Sequence, residues 1–78
     1  MKNKKAVKTI CELIRSARAL EAAYWMYAEE HEKKADVAKT RSEKAHEKKL
    51  AEECSQSWRT KRAMIRAYRK SLRAILTV

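Results

Sequence analysis

The sequence contains no glycine, no proline and no phenylalanine, and each absence removes a class of structure. Without glycine the chain has no cheap route to positive φ, which argues against phosphate-cradling loops and primed hairpin turns. Without glycine or proline as punctuation, and with β-branched and aromatic residues scarce, strands have little support. The only cysteines, Cys11 and Cys54, are far apart and in no metal-ligand spacing. They form neither a disulfide framework nor a zinc site, so two buried, reduced thiols are expected. Long apolar runs are missing as well. The most apolar stretch, Ile10 to Ala28, is broken by Glu12, Arg15, Arg18 and Glu21 and is unsuited to a bilayer. The opening Met-Lys-Asn-Lys-Lys resembles the basic end of a signal peptide, but no uninterrupted apolar run or small-residue cleavage site follows. The expected location is therefore cytoplasmic.

What remains is rich in alanine, lysine, arginine, glutamate and leucine, the strong helix formers. Its 78 residues carry 20 Lys or Arg against 10 Asp or Glu, a formal charge of +10. An anionic partner suits that balance. So short a chain makes one domain with a small core.

Three segments separate by pattern. Up to Ala28, apolar residues recur at helical steps: Val7, Ile10, Leu13, Ile14, Ala17, Leu20, Tyr24. From Glu29 to Lys49 the chain is almost wholly charged, with His-Glu-Lys-Lys occurring twice, at His31 and at His46. That segment reads as a solvated charged face. From Leu50 the apolar rhythm resumes through Cys54, Trp58, Ile65, Tyr68, Leu72 and Leu76, with Lys61 falling inside the apolar arc.

Folding the chain in its charged middle brings the two apolar segments together. The expected class is all-α: an antiparallel two-helix hairpin, helix 1 over about 4–38, a turn near 39–43 and helix 2 over about 43–76. Two such hairpins would pair as a homodimeric four-helix bundle. Thr40-Arg41-Ser42-Glu43 fits a capping box and supplies the turn with a start signal, Ser42 being the competing cap. The alternative is one helix of about 70 residues, on the order of 105 Å long, in a coiled coil.

The most specific surface feature is a stripe on the second helix. Arg59, Arg62, Arg66, Arg69 and Arg73 follow at steps of three and four, with Lys70 at the edge and no acid from Cys54 onward. Like charges so spaced cost a few tenths of a kcal/mol per pair. Arginine's planar fork suits phosphate or carboxylate. A nucleic-acid backbone is the leading partner, with diffuse attraction from Lys2, Lys4, Lys5 and Lys8. No asparagine or glutamine lies on the stripe, so base-specific readout has no support. Thr60, Ala63, Ala67, Ser71 and Ala74 form a third face of small residues. In the first helix, Tyr24, Trp25, Met26 and Tyr27 point to four quadrants, more than one partner helix can cover, and mark an interface. A second reading is a small inhibitor or adaptor of the mobile-element type, gripping an acidic protein through the arginines and the Tyr24–Tyr27 cluster. Docking on an anionic lipid surface ranks below both. No nucleophile, base and orienting group can be assembled, so a non-enzymatic protein without cofactor, metal or small-molecule substrate is expected.

Overall fold

The computed structural model describes residues 3–77, which form two helices, α1 over Lys4–Asp36 and α2 over Arg41–Leu76, packed against each other as an antiparallel hairpin. The single long helix is excluded by the break between them. The hairpin is slender, with Cα extents of 60 × 14 × 11 Å.

The turn is made wholly at negative φ, as a chain without glycine must make it. Helix α1 ends at Val37 (φ −103°, ψ 3°), and the Ala38 N–H tightens the last turn by donating to the Ala35 carbonyl at 3.3 Å. Thr40 then takes an extended conformation (φ −121°, ψ 156°) and caps α2, its Oγ1 accepting from the Glu43 N–H at 3.1 Å. The reciprocal half of the box is shifted by one residue: Glu43 Oε2 accepts from the Lys39 N–H at 3.4 Å rather than from that of Thr40. With Thr40 as the cap, α2 starts two residues ahead of the expected bound.

Every residue on the facing sides of the two helices follows a single alternation of three and four. In α1 the seam runs through Val7, Ile10, Ile14, Ala17, Glu21, Tyr24, Ala28, His31 and Ala35, and Ala38 just past its end continues it, all buried or half-buried. In α2 it runs through Glu47, Ala51, Cys54, Trp58, Lys61, Ile65, Tyr68, Leu72 and Ile75, again all buried or half-buried. This is a heptad repeat, whose 3.5-residue average keeps one stripe facing its partner along the whole length. Among the described residues, four of the five buried side chains are Ala17, Ala28, Ala35 and Ala51; small residues there let the backbones approach, and only Ile65 adds bulk.

The repeat corrects three expectations. Leu76 is 66% exposed, because the step after Leu72 is three and gives the seam position to Ile75. Cys11 is exposed, not buried, since the seam passes through Ile10 and Ile14; Cys54 is half-buried, and both thiols are free. His31, assigned to the solvated charged run, sits in the seam. Its Nδ1 lies 2.6 Å from Glu47 Oε2, and both side chains are about four-fifths buried. A carboxylate can only accept, so the imidazole carries its proton on Nδ1. Lys61 is half-buried within the apolar arc, its ammonium 3.9 Å from Met64 Sδ.

Ile65→Ala should cost about 2–4 kcal/mol, the usual result of a cavity in a packed seam. Thr40→Ala should cost about 1 kcal/mol through loss of the cap. Thermal unfolding followed by circular dichroism at fixed protein concentration checks both. A shift no larger for Ile65→Ala than for an exposed-site control such as Ala63→Gly would contradict the seam assignment.

Candidate nucleic-acid interface

Once the seam is fixed, every other residue of the hairpin belongs to one of two flanks or to the outer backs of the helices. One flank is marked by a groove between the helices lined by Arg18, Trp25 and Met26 of α1 and by Trp58 and Arg62 of α2, with Glu21 at the seam. Residues three and four apart on a helix share a face. Stepping from Arg62 adds Arg59, Arg66, Arg69 and Arg73; stepping from Arg18 adds Arg15, Lys8 and Lys4, with Cys11 in the same row. All of these residues are exposed. The flank thus carries nine cations in two parallel rows, with no acid between Arg59 and Arg73; of the two acids between Lys4 and Trp25, Glu21 is half-buried at the seam and lines the groove, and Glu12 lies on the outer back of α1. Each row runs about 21 Å at 1.5 Å per residue.

The sequence pattern exposed only the α2 row. Lys4 and Lys8 read as diffuse charge and Arg15 and Arg18 as interruptions of an apolar stretch; Lys2 lies outside the described residues. The signal that would have found them is the seam itself. Rotating α1 so that Val7, Ile10, Ile14 and Ala17 face inward puts these four cations on one row. Lys70 lies on the outer back of α2, away from the seam and beside the arginine row.

Two features tune this surface. The Arg59 and Arg62 guanidinium groups lie over the Trp58 ring, 5.7 and 5.9 Å from its centroid. Such contacts hold guanidinium groups in place for about 0.5–1 kcal/mol at exposed sites while leaving their N–H edges free. Helix α1 also begins with Lys4 and Lys5 and has no acid in its first turn, so cations stand at the positive end of its dipole. That placement disfavours the helix and raises the local positive potential. Among the described residues the one contact between a basic side chain and a carboxylate is that of His31 with Glu47, so none of the nine cations is paired with a carboxylate.

Toward the turn the flank changes character. A second groove there is lined by Glu32, Asp36, Lys48 and Glu52, of mixed sign. The basic surface is therefore confined to the open half of the hairpin. The four consecutive large residues of α1 are divided among its faces. Tyr24 enters the seam, and Trp25, 49% exposed, lines the basic groove. Met26 points outward at the groove's edge, and Tyr27 projects to the opposite flank, both more than half exposed.

Among the described residues no cluster of three His, Cys, Asp or Glu could hold a metal ion. No helix among them is long and apolar enough to cross a membrane. No protein-family model, curated protein or solved structure matches the chain.

The repulsion within the arginine row sets a test of sign. Arg66 stands three or four residues from Arg62, Arg69 and Lys70. Arg66→Glu turns those repulsive pairs into attractive ones, each worth about 0.2–0.5 kcal/mol. It should raise the unfolding midpoint by several degrees in low salt, with the gain shrinking at high salt. A drop in midpoint would show that Arg66 has a structural partner.

Proposed function

We propose that this protein binds nucleic acid through its phosphate backbone, without sequence readout, using the basic flank of the hairpin. The observation that carries this reading is the surface of nine cations contributed by both helices, none of them paired with a carboxylate and with Glu21 the one acid lining its groove. A duplex carries one negative charge per about 1.7 Å of axis, so a 21 Å track passes roughly twelve phosphates. The two rows set nine charges against them, and seven of the nine groups are arginines, which can grip phosphate oxygens bidentately. A face evolved for solubility alone would gain stability from interspersed glutamate, as the segment around the turn has it.

A second reading, an inhibitor or adaptor for an acidic protein, is favoured by one feature: Trp25 and Met26 stand exposed beside the arginines and could anchor a partner's apolar residue. The two readings diverge on competition. A partner protein held at the groove would survive nuclease treatment and would not be displaced by added nucleic acid.

Both tryptophans of the chain line the groove, so intrinsic emission reports directly on its occupancy. Titration with duplex or single-stranded oligonucleotide of unrelated sequences should change that emission with similar affinities for each sequence. With about six phosphates engaged on a duplex, log K should fall against log salt with a slope near −5. Replacing Arg62, Arg66 and Arg69 by Gln should weaken binding at least about tenfold and flatten the slope by about three. Unchanged affinity in that triple variant, or binding indifferent to salt, would sink the proposal.

A further inference from the structure

The flank opposite the basic groove is as neutral as the first is charged. It is reached by stepping alternately by three and four residues from Ala6 to Tyr27 in α1 and from Ser57 to Ala74 in α2. None of these thirteen positions is charged, although a chain with 38% charged residues would place about five charges there by chance. Leu13, Leu20 and Tyr27 project from it at steps of seven, 42%, 43% and 51% exposed, with half-buried Met64 on α2. Between them stand only alanine, serine and threonine.

Two further observations show how much surface the lone hairpin leaves open, and a third points to this flank. A compact monomer of 9.1 kDa exposes about 4,900 Å² by the usual scaling with mass, whereas this chain exposes 6547 Å². Its radius of gyration is 17.6 Å, against about 11.5 Å for a compact chain of this length. The apolar arc of α1 spans the seam plus this one flank, the three-sevenths face of a bundle helix rather than the narrow stripe of a two-stranded coil.

We infer that the neutral flank pairs with a second copy of the chain about a two-fold axis, leaving the two basic flanks on opposite outer sides of a four-helix bundle. The occupant is a second copy because charge leaves few others. A +10 chain repels itself at every basic surface, and this flank is where two copies can meet with the fewest cations brought together, the half-buried Lys61 alone lying at its edge. An acidic partner would find only the half-buried Lys61, whose ammonium lies 3.9 Å from Met64 Sδ, as counter-charge here. A two-fold interface must also be self-complementary, and this one alternates large side chains with small ones that can receive them. Its area suffices: about 32 Å of two adjacent helices, each about 10 Å wide, buries roughly 1,300 Å² across both copies, within the range of stable interfaces. The pairing differs from one built on the whole Tyr24–Tyr27 cluster, since it uses Tyr27 and leaves Trp25 on the outside.

The functional consequence rests on the nucleic-acid reading above: with two basic faces pointing away from each other, the dimer holds two separate strands or duplexes at once and bridges them.

Light scattering on nuclease-treated protein at tens of micromolar in high salt tests the pairing by itself. Twice the 9.1 kDa chain mass is expected. Leu20→Glu with Tyr27→Glu, or Ser71→Lys as a milder change at an exposed helical site, should give the single-chain mass with helical circular dichroism retained. Wild-type protein that stays monomeric overturns the inference. So does a dimer that survives these changes but separates on Trp25→Ala. Bridging is then read by capture of a fluorescent duplex on an immobilised one. Wild type should capture it, and the monomeric variants should bind a single duplex without capturing a second. A dimer with no affinity for any nucleic acid leaves the pairing standing and refutes the binding reading; binding by a monomer does the reverse.

Discussion

The alternation of three and four along the α1–α2 seam is the constraint on which the rest of this protein depends. Two helices enclose no interior, so there is no core to organise the surface independently. Each residue's environment follows from its angle to the seam. The buried alanines at Ala17, Ala28, Ala35 and Ala51 hold the backbones close, and among the described residues Ile65 is the one large side chain buried with them. Close approach and a strict repeat fix both the rotation and the relative slide of the helices. A change of one residue in register would turn Arg18 from the groove and separate the two basic rows.

The chain departs from what would stabilise a hairpin best, and the departures fall mostly on one surface. Lysines open α1 where acids would favour the helix dipole, and five arginines repel one another along α2. At the other end the rules are kept: α2 begins with a satisfied cap and Glu43 in its first turn, and His31 meets Glu47 across the seam. A sequence indifferent to its surface would spread such conflicts along both ends. Their concentration on the basic flank is the signature expected where a surface is shaped by something it binds.

How much of this could be read in the sequence depended on whether a feature lay within one helix or between two. The hairpin, the Thr40 cap and the arginine row of α2 are local patterns, visible as spacing along the chain. The α1 half of the basic flank is not local. Arg15 and Arg18 join the α2 arginines only after the seam fixes which way α1 faces, and alanine-rich seams blur that direction because alanine is hydrophobic yet common on surfaces too. The same blurring placed Leu76 inside and left His31 outside. The two differ from their true positions by a single step in the alternation, and a repeat that continues through the charged segment would have settled both.

If one flank holds phosphate and the other holds a second copy, the two events are linked through charge. Two chains of +10 each repel as they pair, most strongly in dilute salt. Phosphate bound on the outer faces neutralises part of that charge, so nucleic acid favours the dimer, and by reciprocity the dimer favours nucleic acid. Salt acts on the two steps in opposite senses. It weakens backbone binding by competing for phosphate and aids pairing by screening the self-repulsion. Neither effect needs a conformational change in the hairpin. On that reading a rigid, two-faced helical pair would be enough to make assembly respond to the presence of a polyanion.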